Sequence, residues 1–338
     1  MTDTPTSATA PAGKPEIDAA IRRQQLTRIL LQVFGIGTFY LVVLVFFAFA
    51  SPYFFTYSNA TNILTNVAVI GIVAMGQSLA VISGGFDLSV AGTLPLGAVV
   101  YAVLINAGVP IPVAMLVVVL AGSAVGLING LIITKIKINP LIVTLGTMSI
   151  AGGVAYTVSN GVTLPFANYD AGILAEHFMP GVAWYVLLFV GIAIATAALL
   201  RFSIFGRMIY AVGGNAEASR LAGIRVDLVT IGVYLFCGAL AAVAGIVVAS
   251  QLLAGSATVG SDAALSSIAA VVLGGASLSG GVGGIAGTLI GVLILGTVAN
   301  GMALLQVPAF YQQIATGLIL LMGVGFARLR EVLGRETT

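Results

Sequence analysis

The stretch VTIGVYLFCGALAAVAGIVVAS, residues 229–250, is a run of 22 residues without a charged side chain. A helix needs about 20 apolar residues to cross the hydrocarbon core of a bilayer, so this stretch predicts a membrane-spanning helix. Other stretches of similar length and composition accompany it along the chain. The predicted spans are 29–50, 60–82, 88–107, 111–134, 140–160, 181–200, 229–250, 263–281, 284–305 and 308–327.

The composition of the whole chain indicates a membrane protein. Of its 338 residues 59% are hydrophobic and only 7% are charged, whereas a soluble domain has about 25% charged residues. This small number of charged residues cannot cover the water-facing surface of a protein of 338 residues. The chain must therefore contact membrane lipid. We therefore predict an all-α, polytopic membrane protein with about ten transmembrane helices, some of them broken or re-entrant. The segment 263–281 is the one for which spanning and re-entering stay open.

The 13 Lys and Arg residues fall into four short segments of the chain, residues 14–28, 135–137, 201–225 and 328–335. Positive charge is concentrated in the cytoplasmic loops of membrane proteins, so we expect all four segments in the cytoplasm. The predicted spans separate these segments by four, two and four crossings. Because each of these numbers is even, all four segments lie on the same side of the membrane, which predicts that both termini are cytoplasmic.

The same pattern divides the chain into regions. Residues 1–28 predict a disordered cytoplasmic tail, 29–327 a transmembrane domain with a cytoplasmic loop at 201–228, and 328–338 a short C-terminal tail. The cations flank hydrophobic spans and do not alternate with aromatic residues on one face. We therefore expect no nucleic-acid partner.

Two similar sequences, AVISGGFDLS at 80–89 and AVVLGGASLS at 270–279, indicate an internal duplication. In each, Gly-Gly and polar residues follow an apolar run and break the helix. Irregular backbone at membrane depth is stable where it is buried in protein or lines a watery cavity, so the breaks predict either a solute path or tight turns. Uncharged polar side chains in the spans can contact a neutral solute or bond neighbouring helices. The candidate path residues are Gly84, Gly85, Asp87, Ser89, Asn139, Thr144, Gly274, Gly275, Ser279 and Asn300.

The loop at 201–228 contains the signals of a short helix within GRMIYAVGGNAEASRLAGIRV, residues 206–226. Asn215 is a typical N-cap, and Gly223 can end a helix in the left-handed conformation. Glu217 near the start and Arg220 near the end complement the helix dipole. We predict a single rigid helix of about two turns whose small apolar face docks in the groove of a partner; an ordinary ordered loop is the alternative. The candidate coupling residues are Gly214, Asn215, Glu217, Ala218, Arg220, Leu221 and Gly223.

Several kinds of chemistry are absent from the sequence. It has no G-x-x-x-x-G-K-[ST] loop for ATP phosphates, and its one cysteine, Cys237, and one histidine, His177, exclude sites built from pairs of these residues. We also find no clustered acid and base of the kind that an integral membrane enzyme needs. We therefore expect no enzymatic activity, no metal site and no cofactor in this chain.

Four motifs in order along the chain resemble the membrane permeases of bacterial ABC importers for monosaccharides of the ribose, xylose and galactose type, which are related to branched-chain amino acid permeases. They are GQSLAVISGGFDLSVAG (76–92), INPLIVTLGTMSIAGGVAY (138–156), GRMIYAVGGNAEASRLAGI (206–224) and AVVLGGASLSGGVGGIAGTLIG (270–291). The resemblance implies a multi-pass subunit of the bacterial cytoplasmic membrane that pairs with a second permease subunit, as a homodimer. It also implies a cytoplasmic ATP-binding subunit, which holds ATP and Mg, and an extracytoplasmic solute-binding protein.

The resemblance further implies that residues 214–223 form the coupling helix and that the two helix breaks frame the path of a small neutral sugar. Transport would proceed by alternating access, with an outer mouth formed by the loops near 161–180 and 251–262. Two alternatives stay open. One is an ABC permease for another small solute, such as branched-chain amino acids, and the other is an ion-coupled secondary transporter with Asp87 as the nearest candidate for the coupling group.

Overall fold

The computed structural model describes residues 36–308, 310–319, 321, 322 and 325. The predicted tails at 1–28 and 328–338, with their basic segments, lie outside the described residues, as does the start of the first predicted span.

The described chain is mainly helical. Its helices are α1 Ile36–Ala50, α2 Tyr57–Ile82, α3 Val90–Asn106, α4 Ile111–Leu131, α5 Pro140–Ser159, α6 Trp184–Phe202, α7 Ile204–Gly214, α8 Ala216–Leu221, α9 Val226–Leu252, α10 Ala263–Leu273 and α11 Ile285–Leu304. A π-helical turn, Ile132–Ile136, extends α4, a 3₁₀ helix covers Tyr169–Ala175, and residues 310–319 are helical. The strands β1 Leu164–Pro165, β2 His177–Met179, β3 Val182–Ala183 and β4 Ala254–Gly255 form two antiparallel pairs, β1 with β4 and β2 with β3.

Six described helices are long and apolar enough to cross a membrane: α2, α4 with its π-helical turn, α5, α6, α9 and α11. The prediction of a helical, multi-pass membrane protein is confirmed in this form. Helices α1, α3 and α10 are apolar but shorter. Helix α10 has 11 residues, which at about 1.5 Å per residue cover roughly half of a hydrocarbon core of about 30 Å. The predicted span 263–281 is therefore not one continuous transmembrane helix.

Contacts between helix ends define one end of the bundle. The amide of Gly281, which follows α10, donates to the carbonyl of Ile82 at the end of α2 over 2.8 Å. Lys135 Nζ lies 2.7 Å from Asp227 Oδ2, which joins the end of α4 to the start of α9. We call this the basic end, because all Lys and Arg among the described residues lie in 135–137 or 201–225.

The opposite end of the bundle carries the longer connecting segments. Tyr57 Oη at the start of α2 donates to Pro180 O over 2.6 Å, and the amide of Phe166 donates to Leu253 O at the end of α9 over 2.9 Å. Asn106 Nδ2 at the end of α3 donates to Pro165 O over 2.9 Å. We call this the mouth end.

The two copies of the sequence repeat run in the same direction. Helices α2 and α10 both end at the basic end, and α3 and α11 both begin there. The first helix of each copy ends in a glycine with positive φ, Gly84 at 86° and Gly275 at 88°. The next amide bonds back in the same way, from Gly85 to Ala80 O and from Ala276 to Val271 O. Gly84 therefore corresponds in structure to Gly275, one position later than the aligned letters suggest.

Small residues bring the central helices into backbone contact. A Cβ on Gly122 or Gly126 of α4 would overlap the carbonyl oxygen of Gly238 or of Tyr234 in α9. Helices α10 and α11 approach each other through glycines as closely. Such contacts are typical of helix pairs in membranes, where packing replaces the hydrophobic effect as the driving force.

Two features differ from the predictions. The loop at 201–228 contains two helices, α7 and α8, whereas a single helix was predicted. The segment predicted as an outer loop at 251–262 enters the bundle, and its residues 254–257 are buried. Gly255 packs against Ala98 of α3, and Gly260 packs against Leu94, farther from the mouth end. Hydropathy does not reveal this path, because small and hydroxylated residues occur both in loops and in buried extended segments.

Candidate functional site

Helix α8 forms from the local signals that predicted it. Asn215 Oδ1 accepts a hydrogen bond from the amide of Ala218 over 2.9 Å, and Gly223 follows the helix with a φ of 85°. Glu217 Oε2 and Arg220 Nη1 form an ion pair over 2.6 Å along the helix surface. The side chain of Leu221 is 83% exposed. The structure thus presents a short, capped helix with an exposed apolar residue at the basic end.

Backbone atoms connect α8 to both helix breaks. A Cβ on Gly213, at the end of α7, would overlap the carbonyl oxygen of Ile82 and the amide of Gly281. A Cβ on Gly280 would lie 2.7 Å from Gly213 O and 2.8 Å from Gly84 Cα. We call this contact of three segments the glycine junction, comprising Gly84, Gly213, Gly214, Gly280 and Gly281. It leaves no side chain between α7 and the two breaks.

A side-chain hydrogen bond reinforces the junction. Tyr210 Oη in α7 donates to the carbonyl of Gly283 in the second break over 2.9 Å. Burial raises the pKa of the Tyr210 phenol above its ordinary value, so the hydroxyl keeps the proton that it donates. Movement of α7 must therefore either break this bond or displace the second break.

A buried polar cluster fixes the first break. Asp87 is fully buried, and its Oδ1 accepts from the amide of Ser89 over 2.9 Å and from Ser89 Oγ over 2.5 Å. Asn129 Nδ2 donates to Ser89 Oγ over 2.8 Å, and Tyr234 Oη donates to Phe86 O over 3.1 Å. When the side-chain amide of Gln77 is flipped, its nitrogen donates to the Asp87 carbonyl and its oxygen accepts from the Asp87 amide, each over 3.2 Å. These bonds satisfy Oδ1 and the backbone of Asp87, whereas its buried Oδ2 has no hydrogen-bond partner among the described residues.

The structure distributes the remaining candidate path residues as follows. At the breaks, Gly85 packs against Tyr234, Gly274 packs against Gly287 and Ser279 is exposed. Asn139 caps α5 by accepting from the amide of Leu141 over 2.9 Å, and the buried Thr144 bonds to Pro140 O in its own helix. Asn300 lies buried on α11. Asn139, Thr144 and Asn300 make no hydrogen bond to either break among the described residues.

The mouth end joins the two segments predicted to form the outer mouth. Strand β1 pairs with β4, with Leu164 opposite Gly255. Thr163 Oγ1 donates to Ser256 Oγ over 3.4 Å next to this pair. The exposed residues Ser261 and Asp262 follow on the segment that enters the bundle. Sequence reasoning missed them because nothing local indicates the depth at which they lie.

Comparison with known proteins assigns the family. The family described as "Branched-chain amino acid transport system / permease component" matches residues 59–324. The ribose import permease protein RbsC of Bacillus subtilis is 40% identical over 291 residues, which cover 86% of this chain and 90% of that protein. RbsC of Escherichia coli K12 is 39% identical, over 84% of this chain and 90% of that protein. The L-arabinose ABC transporter permease protein AraH of Azospirillum brasilense is 37% identical, over 94% of each chain.

No solved structure matches the chain significantly. The candidate spans and these permease relatives together show a multi-pass inner-membrane subunit that is not itself an enzyme. The chain therefore belongs to the permease components of the branched-chain amino acid transport system family, within which it is similar to the sugar ABC permeases.

Proposed function

We propose that the chain is the membrane-spanning permease subunit of an ATP-driven importer and carries a neutral monosaccharide by alternating access. The relatives that cover most of the chain are named for ribose and L-arabinose, which supports a sugar as the solute. Among the described residues, charged side chains are rare outside the basic end. Such a path suits a neutral solute, because hydroxyl groups need hydrogen-bonding partners and no counter-charges.

The observation that carries this proposal is the glycine junction. Helix α8 presents an exposed surface to a partner, and the backbone of the preceding residues touches both helix breaks. A force applied to α8 by an ATP-binding subunit would reach the breaks through backbone contacts, with no flexible side chain between them. The coupling residues 214–223 and the breaks would then form one mechanical unit.

We place the basic end in the cytoplasm by the positive-inside rule. Six long helices, the shorter α1 and α3, the segment 254–273 with α10 and the helix that includes 310–319 would together make ten crossings. This arrangement would put both termini in the cytoplasm.

Each end has a proposed partner. An ATP-binding subunit, which carries ATP and Mg, would bind α8. A solute-binding protein would dock on the mouth end, where Tyr169, Met179 and Trp184 are exposed. A second copy of the chain would complete the path, because the outward face of α5 contains Gly146 and Gly153 with no atoms near their Cβ positions. A close helix approach in the membrane requires such a face.

ATPase measurements on the assembled complex in lipid test the proposal. Ribose-loaded binding protein should stimulate ATP hydrolysis several-fold, and leucine should not. Stimulation by leucine alone would identify a branched-chain amino acid importer. Solute uptake driven by an ion gradient without ATP would instead favour a secondary transporter.

A further inference from the structure

The chain between α9 and α10 descends into the bundle through β4 and a series of turns, and it is partly buried. Gly255 packs against Ala98 and Gly260 packs against the side chain of Leu94, both on α3. Leu94 precedes Asn106, the last residue of α3, by 12 residues, or about 18 Å along the helix axis. Gly260 therefore lies about half of a hydrocarbon core of roughly 30 Å away from the mouth end. Helix α10 begins only after this point, at Ala263.

Hydroxyl groups follow the descending segment. Next to the β1–β4 pair, Thr163 Oγ1 lies 3.4 Å from Ser256 Oγ, which lies 3.0 Å from Thr258 Oγ1. Ser266 Oγ, in the first turn of α10, lies 3.5 Å from Asp262 Oδ2. The side chains of Thr258, Ser261 and Asp262 are exposed. Polar groups thus extend from the mouth end to the Asp262 carboxylate, about halfway between the two ends of the bundle.

Asp262 has no ionic partner among the described residues. Their two ion pairs, Lys135 with Asp227 and Arg220 with Glu217, both lie at the basic end. A carboxylate that faces hydrocarbon is unfavourable, and acidic residues inside membrane domains face a watery cavity or a neighbouring subunit. We therefore expect the exposed Asp262 and its neighbours Thr258 and Ser261 to face water or a neighbouring subunit. Irregular backbone and a helix that begins at membrane depth are the features from which transporters build solute sites.

We propose that Thr258, Ser261 and Asp262 form a contact site for a hydroxylated solute halfway along the path. This inference rests on the proposed function as a sugar permease. The Asp262 carboxylate accepts hydrogen bonds from adjacent hydroxyl groups of the solute, and the two hydroxyl side chains donate to or accept from a third. A carboxylate accepts only, and a hydroxyl does both, so the set matches a polyol and leaves an aliphatic side chain unrecognised.

The first test is uptake of ribose by the full complex in proteoliposomes with Asp262→Asn. We expect uptake to fall by about tenfold or more, because hydrogen bonds to a charged acceptor are lost. ATP hydrolysis stimulated by loaded binding protein should continue, since α8 and the glycine junction are intact. Ser261→Ala should lower uptake less, and Ser123→Ala, whose hydroxyl donates to Val119 O in its own helix, should leave uptake unchanged. Unchanged uptake in Asp262→Asn would overturn the site.

A second variant keeps the proposal testable if Asp262→Asn fails to assemble. In Ser261→Cys, a charged thiol reagent added at the mouth side should label the new cysteine, because Ser261 is exposed. The chain's own Cys237 is buried and should not react. Ribose-loaded binding protein with trapped nucleotide should change the labelling rate. Absence of labelling in every nucleotide state would place Ser261 outside a watery path and overturn the proposal.

The outcomes separate this proposal from the proposed function. If the wild-type complex imports neither ribose nor L-arabinose, the sugar assignment fails, while the cysteine labelling still tests the path. If the wild-type complex imports ribose and Asp262→Asn imports it equally, only the contact site fails. If the wild-type complex imports leucine and Asp262→Asn does not, the carboxylate binds the ammonium group of an amino acid. That result would overturn recognition of a hydroxylated solute.

Discussion

At the scale of single residues, two caps shape α8, and Gly213 joins the chain before it to both helix breaks. Asn215 and Gly223 act within α8 itself, so their residue types and spacing identify them as caps. The role of Gly213 depends on Ile82 and Gly281, which are distant in sequence. Asp262 likewise becomes a candidate only when its depth beside α3 is known.

Gly213→Ala tests the glycine junction at one residue. The added methyl group has no space between the Ile82 carbonyl and the Gly281 amide, so α7 or the second break must shift. We expect ATP-driven uptake to fall by tenfold or more, while the ATP-binding subunit still co-purifies because α8 is unchanged. The measurement is uptake in proteoliposomes together with co-purification.

Gly191→Ala is the control for this substitution. Gly191 lies on α6 with no atom within 4 Å of its Cβ position, so the methyl group adds no clash. Uptake by this variant should match that of the wild type. Normal uptake by Gly213→Ala would show that the junction does not transmit movement.

At the scale of elements, the composition of the chain predicted where most helices lie but not how each one ends. Helices α2, α4, α5, α6, α9 and α11 fall within the predicted spans to a few residues, because a continuous apolar run has few alternatives in lipid. Helix α7 was not predicted, because the signals in the loop at 201–228 indicated only one helix, which corresponds to α8. Helix α10 is short because the residues before it follow α3 as a short strand and turns, a tertiary contact with no local signal.

Charge reversal on α8 tests its role as a docking element. Glu217→Lys with Arg220→Glu keeps an opposite-charge pair along the helix but inverts the pattern that a partner meets. We expect the permease to insert into the membrane normally and the ATP-binding subunit to co-purify at least tenfold less. Because exposed pairs contribute only about 0.2–1 kcal/mol to stability, loss of folding does not explain that result.

The second ion pair at the basic end provides the matched control. Lys135→Asp with Asp227→Lys reverses a pair of similar length outside α8. Co-purification should be retained. Equal loss in both double variants would point to a general effect of charge at this end, against a docking role for α8.

At the scale of the whole molecule, charge placement predicted the sidedness of the bundle. The basic segments at 135–137 and 201–225 come together at one end, where Lys135 bonds Asp227. The predicted spans already give the two repeats the same direction, whereas hydropathy and charge did not predict the contact between the helix breaks or the packing of Gly213 against them. Those features depend on packing between helices, which glycine positions permit but do not specify.

Cysteine labelling tests this sidedness. Asp170→Cys lies at the mouth end and Lys137→Cys at the basic end, both in exposed positions. An impermeant thiol reagent applied to intact cells should label the first and not the second, and permeabilised cells should label both. The opposite pattern would invert the orientation, and labelling of both in intact cells would contradict the proposed crossings.

The most direct test of the central claim is accumulation of radiolabelled ribose in proteoliposomes that contain the permease and its ATP-binding subunit, with the solute-binding protein on the mouth side. The account predicts concentrative uptake that requires ATP and the binding protein and that stops when the ATP-binding subunit cannot hydrolyse ATP. Accumulation of the same size with a hydrolysis-deficient subunit, or without the binding protein, would contradict it.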